Sequence, residues 1–186
     1  MSPILLFSSL WRIFRRLLVR RLERSDLEKT MDLEARIRSL VEEHFQGTDC
    51  FLADIKIASG GQRISVFVDQ MSKNISIDKC ASLSRLIEST VEEEGLVPEK
   101  YVLEVSSPGM GNPFKVSQQF QKNIGRNVIV LMRDGSKKEG LLKTYDEQEI
   151  ELEIHQQKRK NAPPEVTRES IDLNLVKSVK KKITFK

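Results

Sequence analysis

The chain is poor in the residues that build stapled or metal-bound folds. It holds two cysteines, Cys50 and Cys80, and no C-x-x-C pair among 186 residues. That excludes a disulfide framework and a thiolate zinc site, and it fits a reducing cytoplasm. Cys80 lies among Ile77, Ala81 and Leu83, where a thiol serves as a small apolar core group. Only two histidines occur, His44 and His155, in different halves of the chain. No Walker A loop, G-x-S-x-G, H-E-x-x-H or strand-following G-x-G-x-x-G is present. The patterns that phosphoryl transfer, acyl transfer, zinc proteolysis and dinucleotide binding require are therefore missing. Ser106 or Ser107 could act as a nucleophile only if a distant histidine and acid converged on it. Neither a cofactor nor a small-molecule substrate is expected. The apolar stretch Pro3–Trp11 falls short of the roughly 20 residues that span a bilayer.

What the chain does have is charge, unevenly spread. Residues 1–30 carry seven Lys/Arg against three Asp/Glu, residues 31–114 carry 8 against 14, and residues 115–186 carry 16 against 10. A basic leader thus precedes an acidic segment and a basic one, a dipolar surface suited to RNA and to basic protein. In the leader, Leu10, Trp11, Phe14, Leu17, Leu18 and Leu22 gather on one helical face opposite Arg12, Arg15, Arg16 and Arg20. Such a helix can lie on an anionic membrane or on RNA. The competing reading, preferred here, makes residues 1–30 a start-site over-call with Met31 as the true beginning.

Periodicity then gives two domains, 31–114 and 115–186. Leu33, Ile37, Leu40 and Val41 predict a helix from about Asp32 to Phe45. Strands follow at Phe51–Ile57 and Arg63–Asp69, joined by a turn at Gly60-Gly61, with Ile64, Val66 and Val68 on one face. A helix over Asp78–Glu94 carries Cys80, Leu83, Leu86, Ile87 and Val91 as one stripe. Its terminal Glu92-Glu93-Glu94 run reads as a solvated face. After Phe114, short strands at Asn127–Met132, Lys138–Thr144 and Glu149–Ile154 alternate with tight turns. A polar loop, Gln156–Pro164, precedes Ile171-Asp172-Leu173 and a last strand near Val179–Phe185. Several short antiparallel strands in about 70 residues suggest a small barrel.

At the end of the first domain stands YVLEVSSPGMGNPF, Tyr101–Phe114. An alternating strand stops at Ser106-Ser107-Pro108-Gly109. Proline fixes φ and glycine accepts positive φ, so Pro108-Gly109 suits the centre of a type II turn, with the two hydroxyls serving the nearby backbone. A strand ending in EVSSPG, with Pro113 four residues beyond, resembles the signature of the RimP-type ribosome maturation factors. The order of elements from Met31 to about Lys182 is similar to that family as well. One departure follows the turn. Many members carry Leu-Asp-Arg-Pro-Leu, where this chain has Met110-Gly111-Asn112-Pro113-Phe114, so no charged role carries over to Gly111 or Asn112.

The resemblance implies an α+β protein: a small α/β N-terminal domain followed by an SH3-like (Sm-like) β-barrel. It implies a monomeric, cytoplasmic, non-enzymatic factor that binds the free small (30S) ribosomal subunit, through rRNA or a small-subunit protein, and assists its assembly. Ser106, Ser107, Pro108, Gly109 and Pro113 are expected to fix the relation between the domains. Lys137, Lys138, Lys158, Arg159, Lys160, Lys180, Lys181 and Lys182 are the candidate ribosome contacts, as cations on a β scaffold suited to phosphate. Tyr145 and Phe185 alone supply aromatic faces in the barrel, too few for sequence-reading RNA recognition by stacking. The alternative from another class is a generic RNA- or protein-binding module held at a membrane surface by the leader.

Overall fold

A computed structural model describes residues 28–156 and 165–183. The amphipathic leader up to residue 27, and with it the question of Met31 as a start, lies outside the described residues, as do Lys158, Arg159, Lys160 and Phe185. The described residues form an α+β protein in two compact units. The first comprises the described residues up to Gln46 with Ile55–Val66 and Ile77–Ser106; the second comprises Gly47–Asp54, Phe67–Ser76 and the described residues from Ser107 onward.

The first unit is built on helical stripes. Helix α1, described over residues 28–44, buries Leu33, Ile37, Leu40 and Val41. That i, i+4, i+7, i+8 spacing keeps one face apolar through the helix. Helix α2 (Ile77–Glu93) buries Leu83, Ile87 and Val91. Cys80 and Leu86 sit half-buried on the same stripe, so the Cys80 thiol is less enclosed than its sequence neighbours suggest. Strands β1 (Cys50–Ala58), β2 (Arg63–Gln70) and β3 (Val102–Ser106) make a sheet in that order. The central β2 buries Ile64, Val66 and Val68 completely, the alternation that a strand with one covered face shows.

The acidic end of α2 is less idle than a solvated run. Arg36 Nε donates to both carboxylate oxygens of Glu94 at 2.9 Å, which ties α1 to the chain just beyond α2. Glu92 accepts the Tyr101 hydroxyl at 2.9 Å. Burial, reinforced by that carboxylate, pushes the Tyr101 hydroxyl up to about 12.

The second unit carries a five-stranded antiparallel sheet: β4 (Asn127–Met132), β5 (Lys137–Tyr145), β6 (Glu149–Gln156), β7 (Glu165–Asp172) and β8 (Val176–Lys181), in the order β7-β6-β5-β4-β8. The sheet supports the α+β class, while the expected SH3-like barrel is not found as a closed barrel among the described residues. Val128, Val130, Met132, Leu142, Ile150, Leu152, Ile171, Val176 and Val179 form one core on its covered face. A short helix α3 (Ser117–Lys122) supplies Phe120, which stacks on Tyr145 with centroids 4.5 Å apart and meets Phe114 edge-on at 5.2 Å. Tyr145 is thereby committed to core packing.

Two strand boundaries differ from the sequence expectation, each for a physical reason. β7 begins at Glu165 and pairs with β6 along its whole length. Its apolar signal is faint because, of its apolar residues, Ile171 is buried while Val166 is 51 % exposed. The last strand starts at Val176, not near Val179. Val176 and Val179 both reach the core at a spacing of three because β8 spends one extra residue opposite Leu131/Met132. A bulge of this kind defeats any strict period-two reading. Where β5 crosses β6, Gly140 allows a close backbone approach: a Cβ there would stand 2.8 Å from the Glu153 carbonyl oxygen.

Candidate functional site

The Ser106–Pro113 segment differs in conformation from its expected form. Gly109 is not among the glycines with positive φ, so Pro108-Gly109 is not the centre of a type II turn. The tight turn lies two residues later, around Met110-Gly111, closed by the Asn112 N–H donating to the Gly109 carbonyl at 3.0 Å. Pro108 disfavours an α conformation at Ser107, which keeps the chain extended until the turn begins. Pro113 then forms an isolated antiparallel bridge to Lys180, and the Phe114 N–H donates to the Val179 carbonyl at 2.7 Å. The segment is thus stitched to the edge strand β8.

Helix α3 follows at once, and its start is satisfied without a serine or threonine. The Gln119 side-chain oxygen accepts from the N–H groups of Lys115 and Val116 at 2.6 and 3.3 Å. This is the reaching-back half of a capping box, with Val116 in the cap position. Asn123 at the far end donates to the Gln119 carbonyl at 2.7 Å. Both side chains are buried, and both are hydrogen-bonded, as burial of an amide requires.

Lys122, the last residue of α3, forms an enclosed ion pair. Its ammonium donates to Asp69 Oδ1 at 2.6 Å and to the Lys73 carbonyl at 3.1 Å. The two side chains are only 8 % and 16 % exposed. Lys115 at the start of the helix pairs with Asp54 at 2.7 Å. A cleft of about 240 Å³ opens beside this pair within the same unit, and Asp69 is the one acidic residue lining it among the described residues. Ser107, Asn112, Lys122, Arg126 and Lys181 line it.

The structure therefore brings two sequence-predicted groups together. Ser107, Pro108 and Gly109 share the cleft with Lys181, and Pro113 pairs with Lys180. Ser106 ends β3, half-buried and outside this cleft. Other candidates are drawn into intramolecular pairs. Lys138 pairs with Glu169, and Lys182 pairs with Glu139 at 2.6 Å. Lys137 and Lys180 are exposed on the outer face, opposite Leu131 and Ile129 in the β4 register. Two of the glutamates of β6 are likewise engaged: Glu149 accepts the Ser170 hydroxyl at 2.5 Å, and Glu153 lies 3.6 Å from Lys143.

Asp69, Lys122 and Arg126 were not legible as site residues. They are ordinary charges in sequence, and only the fold places the three around one cleft. A faint signal existed in Gln119 and Asn123, polar residues on a helix too short to need a solvated face on all sides.

Among the described residues no helix is long and apolar enough to cross a membrane, and no group of His, Cys, Asp and Glu is arranged to hold a metal.

Comparison with known proteins adds the following. The family model for the RimP N-terminal domain matches residues 40–111. The ribosome maturation factor RimP of Cytophaga hutchinsonii is 32 % identical over 126 residues, covering 66 % of this chain and 73 % of that protein. The ribosome maturation factor RimP of Porphyromonas gingivalis is 36 % identical over 124 residues, covering 67 % of this chain and 78 % of its own length.

Proposed function

This chain belongs to the RimP family of ribosome maturation factors, and from that membership we propose that it binds the free small (30S) ribosomal subunit in the cytoplasm and assists its assembly. The observation that carries the reading is a family match that runs through the EVSSPG segment and over most of each relative's length. The factor acts without a catalytic step. It works by differential affinity: a protein that binds a precursor particle better than the finished one shifts the precursor toward the bound conformation, then leaves.

On this reading residues 31–114 and 115–186 are its two domains, the second an SH3-like barrel, and the protein acts as a monomer. The Ser106–Pro113 segment sets the relation between the domains. Lys137, Lys180 and Lys181, which form no ion pair among the described residues, contact the particle, together with Lys158, Arg159 and Lys160. The test is sedimentation of the tagged full-length protein from cell extract, with and without residues 1–30. Enrichment on free small subunits, independent of the leader, is the expected result. Absence from that fraction, or a membrane pellet that depends on the leader, would remove the ribosomal reading and favour the membrane-surface module.

A further inference from the structure

We propose that the cleft between the Ser107–Asn112 turn, helix α3 and strand β8 binds phosphate groups of an RNA backbone, with Arg126 and Lys181 as its ligands. The proposal rests on the ribosomal reading for its choice of RNA, and on the cleft itself for the chemistry.

Charge is the first argument. Among the described residues, four ionisable ones line the cleft: Asp69, Lys122, Arg126 and Lys181. Asp69 is matched at 2.6 Å by Lys122. That leaves Arg126 and Lys181 as two cations with no carboxylate of a described residue opposing them at the site. They are held close by the sheet. Lys181 stands opposite Val128 in the β4–β8 register, two residues from Arg126, and the Lys182 N–H donates to the Asn127 carbonyl at 2.9 Å. The Arg126 backbone is pinned on both sides, donating to the Asn123 carbonyl and accepting from the Leu142 N–H, each at 3.0 Å. The backbone fixes where the side chain starts, and the planar fork of the guanidinium loses less freedom per hydrogen bond formed than an ammonium does.

Hydrogen-bonding capacity is the second argument. The hydroxyl of Ser107 makes no hydrogen bond to a described residue. The ammonium of Lys122 has three donors, of which Asp69 and the Lys73 carbonyl take two. Hydroxyl, ammonium and guanidinium donors converging on one concavity are the groups that hold phosphate oxygens. The third argument selects a polymer over a single anion. Beyond the cleft, β8 continues with exposed Lys180 and Lys177, a basic track running away from the concavity along one strand.

The test compares full-length protein with two double variants that remove equal charge. Arg126→Ala/Lys181→Ala empties the cleft; Arg63→Ala/Lys100→Ala removes two exposed cations of the first unit, which the proposal gives no role. The probe is a fluorescently labelled single-stranded oligoribonucleotide, followed by anisotropy over a salt series. Loss of two phosphate contacts should weaken binding about tenfold at moderate salt and flatten the log–log salt slope by about 1.4. The surface pair should change affinity about twofold at most. Arg126→Lys/Lys181→Arg keeps both charges and should restore binding, which a folding defect would not allow. Equal losses in both double variants, or none in the cleft variant, would overturn the assignment. So would a result in which inorganic phosphate shifts the Asn112 side-chain resonances while RNA affinity is indifferent to the cleft variant, since that marks a small-anion site only. Cosedimentation of the unmodified protein with free small subunits reads the ribosomal proposal separately. If it fails while the cleft variant still loses RNA, the function falls and the site stands.

Discussion

The ion pair between Lys122 and Asp69 should be worth several times an ordinary surface pair, and a double-mutant cycle can measure it. At 2.6 Å and an effective dielectric constant near 20, the bare attraction is about 6 kcal/mol. Desolvating the two groups offsets several kcal/mol of this, which leaves a coupling of about 2–3 kcal/mol. An exposed pair is worth about 0.2–1 kcal/mol. Asp69→Ala strands an ammonium that is 8 % exposed with only the Lys73 carbonyl as partner, so that single change should cost about 3 kcal/mol. Lys122→Met should cost less, because Asp69 Oδ1 keeps the Gln70 N–H at 2.9 Å and its charge can reach water through the cleft. Thermal unfolding should register the Asp69 variant as a fall of about 6–12 °C. The coupling should survive added salt, which screens exposed pairs far more than enclosed ones. A coupling below about 0.5 kcal/mol would mean that the pair is solvated, and the assignment of Lys122 as a structural cation would be wrong.

Glycine tells two places apart: Gly140→Ala forces a Cβ to within 2.8 Å of the Glu153 carbonyl oxygen and should cost about 1–3 kcal/mol. Gly109→Ala meets only the flexible Asn112 side chain at 3.3 Å, so its denaturant midpoint should match the parent. Ile150→Ala removes a fully buried side chain from the second core and should cost about 2–5 kcal/mol by urea unfolding; a value under 1 would mean that the core is loosely packed. The Tyr101 hydroxyl, raised from 10.0 to about 12, binds its proton in the folded state after the unfolded chain has released it. Its contribution is complete below the unfolded value and is lost as pH rises through the folded one. Tyr101→Phe should therefore flatten the alkaline fall in stability, and phenolate absorbance should show one tyrosine titrating late; an unchanged alkaline slope would contradict the link to Glu92.

The sequence by itself determined the elements with clean periods. Leu33, Ile37, Leu40 and Val41 mark α1, Leu83, Ile87 and Val91 mark α2, and Ile64, Val66 and Val68 mark β2, because a helix or strand that must hide one face repeats its apolar residues at 3.6 or 2. The family was legible too, since EVSSPG is a run of neighbours. What only the tertiary structure decided depends on residues far apart in the chain. Strand β7 exists because β6 lends it a full hydrogen-bond ladder, although of its apolar residues Ile171 is the buried one and Val166 is exposed. Val176 and Val179 share a face because a bulge absorbs the residue that would break alternation. The type II geometry failed at Pro108-Gly109 because Asn112, Pro113 and Phe114 bond to the Gly109 carbonyl and to β8, and so draw the turn two residues along. The lysines were countable in sequence, but their meaning was not. Charge becomes available or spent only when a partner is placed beside it, and the fold set Lys138 against Glu169, Lys182 against Glu139 and Lys122 against Asp69, leaving Arg126 and Lys181 open at the cleft.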